Sequence, residues 1–103
     1  MRFLIKFNFP NEAANAAMKA GTFGDTIASL LDELKPEAVY FGGWDGTRTA
    51  FVVTHIEEAS QIPAMFEPWF LAFNVTFEWT PVMLPEDLEK AGPAIGQAVE
   101  KYG

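Results

Sequence analysis

The sequence predicts a ferredoxin-like α+β fold: βαββαβ with an extra C-terminal helix and a four-stranded antiparallel sheet. Three observations carry this. Ala38–Ile56 reads as two apolar, aromatic and β-branched runs joined by Asp45-Gly46. Asp-Gly is a two-residue hairpin signal, because a type I′ turn needs positive φ at both central residues. Arg2–Phe9 and Asn74–Thr80 alternate with period two, as half-buried strands do. Residues 12–34 and 60–73 carry apolar side chains at helical spacing.

In chain order, the first strand places Phe3, Ile5, Phe7 and Phe9 on one face and Leu4, Lys6 and Asn8 on the other. Pro10-Asn11 ends it, with Asn11 expected to cap the next helix. Ile27, Leu30, Leu31 and Leu34 fall at i, i+3, i+4 and i+7, a buried stripe. Gly21 and Gly24 leave two alternatives: a break near 21–25, or one helix packed closely on the sheet. Pro36 stops it by pushing Lys35 out of the α region. In the hairpin, a loop of Asp45-Gly46 makes partner numbers sum to 91, so Trp44 pairs with Thr47 and Tyr40 with Phe51. Ser60 is the expected N-cap of the next helix, with Pro63 in its first turn. Ile62, Met65, Phe66, Trp69, Phe70 and Phe73 form its stripe, and Pro68 should bend it. Core packing is the expected role of that stripe, and ligand stacking by Trp69 is the alternative. The last strand sets Val75, Phe77 and Trp79 against Thr76, Glu78 and Thr80, and stops at Pro81. Pro85-Glu86-Asp87 opens a short helical turn. After Gly92-Pro93, the residues Ile95, Ala98, Val99 and Tyr102 give a terminal helix a weak apolar stripe.

The 103 residues are expected to form one domain, 1–103, with one core. Ten Phe and three Trp are more aromatic surface than a monomer this small hides, so an interface or pocket is expected. A net charge of −7 provides no basic footprint and excludes nucleic acid and anionic membranes as expected partners. Zero cysteines exclude disulfides, thiol chemistry and cysteine-ligated metals. Only three apolar residues lie between Arg2 and Lys6, too few for a signal peptide, and no run reaches membrane-spanning length. The expectation is a soluble, cytoplasmic protein.

Two helices cover one sheet face, so the other meets water, a partner or a ligand. The sum of 91 groups Tyr40, Trp44, Thr49, Phe51, Val53 and His55 on one face. Leu4, Lys6, Asn8, Thr76, Glu78 and Thr80 are placed with them on the uncovered side. An aromatic floor with a few polar groups suits a small-molecule site, and also half of a dimer interface. His55, the only histidine, is a candidate general base; an exposed His among acids is the plainer alternative. Lys6 and Glu78 are candidates for an acid–base pair, or for a cross-strand ion pair supporting the sheet. Tyr40 can donate a hydrogen bond to a ligand carbonyl, over Phe51. Arg48 near the hairpin tip has a surface or inter-subunit role. The acids Glu57-Glu58 and Glu86-Asp87-Glu89 sit at helix starts and show no metal-ligand spacing. No phosphate loop, Ser–His–Asp set or zinc spacing is present.

The element order and small size resemble the dimeric α+β barrel superfamily, in which two such sheets pack their uncovered faces into a closed barrel. More closely, Lys35-Pro36-Glu37-Ala38, Asp45-Gly46-Thr47-Arg48-Thr49, Glu67-Pro68-Trp69-Phe70-Leu71-Ala72-Phe73-Asn74, and Pro81-Val82-Met83 through Pro85-Glu86-Asp87-Leu88 are similar to a group of small bacterial proteins. That similarity covers nearly the whole chain and implies no mechanism. Some of the group carry a pantothenate synthetase label. The chain does not support it, being too short for an adenylating ligase and lacking nucleotide motifs. The superfamily includes cofactor-free monooxygenases, haem degraders, isomerases and dehydratases. Asn8 resembles in placement an Asn that some monooxygenases and haem degraders use, but Ile62–Phe73 lacks the axial His that haem needs. The resemblance therefore implies a homodimer, no cofactor, and a small apolar or aromatic molecule bound between sheet and helices, with cofactor-free monooxygenase or isomerase activity. The alternative is a non-catalytic interaction protein that spends its aromatic face on dimerisation.

Overall fold

The hairpin turn fixes the sheet. Asp45 and Gly46 have φ of 51° and 78°, the two positive values a type I′ turn requires. In the computed structural model, which describes residues 1–103, β2 (Ala38–Trp44) and β3 (Thr47–His55) pair antiparallel from Trp44–Thr47 through Tyr40–Phe51 to Ala38–Val53. The register is the one that the turn dictates. β1 (Arg2–Phe9) lies between β3 and β4 (Thr76–Pro81), and the order across the sheet is β2-β3-β1-β4, antiparallel throughout. This is a ferredoxin-like α+β fold with additional C-terminal helical structure.

Between β1 and β2 the chain makes two helices, α1 (Asn11–Ala20) and α2 (Phe23–Leu34). Of the two alternatives, the break is realised. Gly21 takes φ 74°, and the N–H groups of Gly21 and Thr22 return to the carbonyls of Met18 and Ala17. Lys35 leaves the α region (φ 49°) ahead of Pro36. α3 (Gln61–Phe73) connects β3 to β4 and ends on Asn74 at φ 53°. Two expected caps are not made. Ser60 has helical dihedrals and no side-chain cap bond; instead the Gln61 side-chain oxygen accepts the N–H groups of Glu57 and Glu58 (2.8 and 2.9 Å). Asn11 is already helical, and its amide donates to the Gly46 carbonyl (3.2 Å), tying α1 to the hairpin turn.

The core fills one side of the sheet. Ile5, Phe7 and Phe9 of β1 and Ala50 and Val52 of β3 pack under Phe66, Trp69 and Phe73 of α3 and Ile27 and Leu30 of α2. Trp69 stacks on Phe7 with centroids 4.1 Å apart, and Phe66 on Phe77 at 4.0 Å, both pairs within 6° of parallel. Rings at these separations are in contact with each other, so the space between these pairs is filled.

After β4 the chain forms α4 (Pro85–Lys90) and α5 (Gly92–Tyr102). The Leu84 N–H donates to the Asp87 carboxylate (3.0 Å) at the start of α4. Neither helix has a buried residue. The molecule measures 59 × 28 × 19 Å with a radius of gyration of 17.5 Å; a compact chain of this length has about 13 Å. The helical pair extends from the body as an arm.

Trp69→Ala is expected to destabilise the fold by about 3–5 kcal/mol, because it opens a cavity against Phe7. Denaturant unfolding measures this. A loss below about 1 kcal/mol would remove Trp69 from the core.

Candidate functional site

The three ladders of the sheet align four side chains in a row across the uncovered face. Tyr40 on β2 pairs with Phe51 on β3, Phe51 with Lys6 on β1, and Lys6 with Glu78 on β4. On one side of this row lie Ala38, Val53, Leu4 and Thr80; on the other lie Gly42, Thr49, Asn8 and Thr76. Period two in each strand sends all of them to the side away from the helices.

Lys6 is the centre of the row. Its Nζ lies 3.2 Å from Glu78 Oε1 and 5.0 Å from the centroid of the Trp44 ring. Trp44 in turn meets Phe51 edge-on at 5.9 Å. The ammonium is thus held between a carboxylate and an aromatic face, and only 19% of the Lys6 side chain is exposed, against 75% of that of Glu78. Tyr40 stands 70% exposed at the β2 end of the row. A hollow of about 290 Å³ opens at the other end, lined by Leu4, Lys6, Phe51, Glu78, Trp79 and Thr80.

The sequence-predicted residues divide by place. Lys6, Asn8, Tyr40, Phe51 and Glu78 share one surface. Trp69 lies in the core on the opposite side of the sheet, 1% exposed, reaching only a shallow groove between α2 and α3. His55 lies on the face of the row but at its far end. It pairs with Arg2, four residues from Lys6 along β1, or about 13 Å. His55 Nε2 accepts from the Met1 amine at 3.0 Å, and that amine also donates to the Ile56 carbonyl (2.8 Å). The histidine is therefore not within reach of the Lys6–Glu78 pair. It borders a second hollow of about 580 Å³ that includes Arg2, Met83, Leu84 and Asp87.

Two residues stand out that the sequence pattern does not single out as site residues. Trp44 covers Lys6, and its parity with Phe51 is visible in the hairpin register. Glu37 binds Arg2 in a fork, with Nε 2.9 and 3.0 Å from the two carboxylate oxygens and Nη2 2.8 Å from Oε1. The hydrogen bonds from Arg2 hold the Glu37 carboxyl below its ordinary value, and those to Glu37 raise the guanidinium. No spacing rule links residue 2 to residue 37; only the pairing of β1 and β2 through β3 does. Arg48 bonds Asn15 Oδ1 of α1 (2.9 Å), on the helix side of the hairpin tip. No group of three or more His, Asp and Glu side chains is gathered closely enough to hold a metal ion.

No family model and no curated protein matches the chain. Among solved structures it is similar to the de novo designed protein Ferredog-Diesel, with a TM-score of 0.46 and 14% identity, over 79% of this chain and 85% of that one.

The Arg2–Glu37 pair has a signed pH dependence. The folded carboxyl titrates below its unfolded value, so the pair's small contribution is present above the ordinary carboxylate range and is lost as pH falls through the lowered value. Melting temperatures of wild type and Glu37→Gln are expected to differ slightly at about pH 7 and to converge as pH falls below the lowered carboxyl value. A constant difference at both pH values would show that the charge on Glu37 is not what matters.

Proposed function

We propose that the uncovered sheet face binds a small, flat apolar or aromatic molecule carrying one polar group, within a homodimer whose second sheet closes over the first. The observation that carries this reading is the Tyr40–Phe51–Lys6–Glu78 row. It joins an aromatic floor to a single ion pair on a face that no helix covers. Phe51, Leu4 and Trp44 offer ring and aliphatic surface to a flat molecule. The Tyr40 hydroxyl and Lys6 ammonium offer donors to a carbonyl or hydroxyl. Two four-stranded sheets facing one another make an eight-stranded enclosure, a size that holds one small ligand. The dimeric α+β barrel arrangement that the sequence resembles is part of this proposal. So is a cytoplasmic location, which the absence of cysteine supports. Any chemistry on the bound molecule, of the cofactor-free monooxygenase or isomerase kind, falls to Lys6 and Glu78 with Asn8 beside them on β1.

A second reading has its own support. Lys6 is already satisfied by Glu78 and Trp44, so the face is also suited to pack against protein alone. In that case the chain is an interaction protein and binds no small molecule.

Native mass spectrometry, with a fluorescence titration using 2-naphthol as probe, separates the two. The proposal expects a dimer that binds one naphthol per barrel. Tyr40→Ala should weaken binding about fivefold, since a ring contact is worth about 1 kcal/mol, and leave the dimer intact. A dimer that takes up no naphthol favours the interaction protein, and a monomer overturns the enclosed site.

A further inference from the structure

We infer that the molecule bound on the open face meets Glu78 with a hydrogen-bond donor, a phenolic hydroxyl or a ring N–H, an inference that rests on the enclosed-site reading above and names the polar group the ligand carries. Anions and molecules with acceptors alone are disfavoured at this place.

The two charged groups of the row are unequally supplied with partners. Lys6 has three N–H donors and no acceptor. Its Nζ has Glu78 Oε1 at 3.2 Å and the Trp44 ring at 5.0 Å, and 19% of the side chain is still exposed. Little of the cation is left for a newcomer. Glu78 is the reverse case. A carboxylate accepts at about four lone-pair sites. Lys6 is its one polar partner, reached through Oε1, and 75% of the side chain is exposed. Thr80 lies two residues further along the same face of β4. Its hydroxyl already donates to the Pro81 carbonyl (3.3 Å), so what it has left is lone pairs. The unused hydrogen-bonding capacity at this end of the row is therefore acceptor capacity.

The apolar surface lies in the right place for a ring that carries a donor. Glu78 and Thr80 line the hollow of about 290 Å³ together with Leu4, Lys6 and Phe51. Leu4 pairs with Thr80, and Lys6 with Glu78. A flat ring on Leu4 and Phe51 thus lies one strand spacing, about 4.8 Å, from the acceptors of β4. Its edge substituent is what reaches them.

Closing the face sharpens the choice. Lys6 has already given up most of its contact with water, whereas Glu78 gives up its water when a second sheet covers it. A carboxylate that is desolvated with one partner is costly. A donor on the ligand replaces the lost water. An ether leaves the carboxylate short of a partner, and a ligand carboxylate adds a second negative charge beside it. A hydroxyl does both tasks, donating to Glu78 while its own oxygen accepts from the donors of the row.

The test uses fluorescence titrations of the full-length chain at pH 7 with three ligands that share one ring system: 2-naphthol, 2-methoxynaphthalene and 2-naphthoate. Wild type is expected to bind 2-naphthol at least about tenfold more tightly than either of the others. In Glu78→Met, which keeps the side-chain length and removes the acceptor, the preference for 2-naphthol over its methyl ether should fall to about one. In the same variant 2-naphthoate should gain, because Lys6 has lost its counter-ion. Equal binding of 2-naphthol and 2-methoxynaphthalene by wild type would overturn the inference and leave the aromatic site standing. So would tightest binding of 2-naphthoate, which would make Lys6 the anchor. A preference that survives in Glu78→Met would show that the methyl group is rejected by shape and that Glu78 is not the acceptor. Wild type that binds none of the three would overturn the site itself.

Discussion

The antiparallel register set by the Asp45–Gly46 turn decides which side chains meet. A slip of one residue would send Tyr40 and Phe51 under the helices and Phe41 and Val52 to the open face. Because β3 also pairs with β1, and β1 with β4, that single turn propagates its parity across the sheet. Lys6 reaches Glu78 only because the sum of 91 in the hairpin is followed by matching parity in two further ladders. The Asn11 side chain bonded to the Gly46 carbonyl ties the same turn to the start of α1, so helix placement and strand register share one anchor.

The two faces are unequal for a physical reason. On the helix side, stacked and tilted rings of Phe7, Phe66, Trp69, Phe73 and Phe77 fill the core, and the one charged strand position, Arg48 at the hairpin tip, reaches out to Asn15. On the other side, the central strand carries Lys6. An unpaired ammonium in a dry core is costly, so that face can be closed only where the charge keeps a partner. Glu78 provides one, and its own exposure keeps the pair in contact with water. Covering this face with a second sheet would desolvate both groups. Hydrogen bonds from a ligand or an ordered water then become part of what makes closure favourable.

The fold was legible where one local rule dominated. Asp-Gly set the hairpin, and period-two alternation in β1 and β4 told the open face from the covered one. Lys6, Asn8, Tyr40, Phe51 and Glu78 come together as that alternation requires. The rest depended on contacts between distant residues. His55 was visible as the only histidine, but its partner is the Met1 amine and not a neighbouring acid. Trp69 sat on a helical stripe whose period is the same for a core residue and a ligand-stacking one; the Phe7 ring beneath it decides the matter. The choice between a broken and an unbroken helix at Gly21 was open in sequence, because glycine permits both, and the returning bonds to Ala17 and Met18 settle it. Caps were misplaced because Ser60 and Asn11 are favoured by type, while Gln61 and the hairpin turn offered better geometry.

Exposed apolar residues are ordinary when scattered and informative when grouped. Of the fourteen large hydrophobic side chains that remain exposed, six lie in the arm (Met83, Leu84, Leu88, Ile95, Val99 and Tyr102). Five more lie on the sheet, at Leu4, Tyr40, Phe41, Trp44 and Trp79. The pattern is not that of a core too small for its composition, since the buried side is closely stacked. It is that of apolar surface left open on the arm and across the sheet. The elongation to 59 Å comes from the chain after Pro81, whose two helices bury no residue.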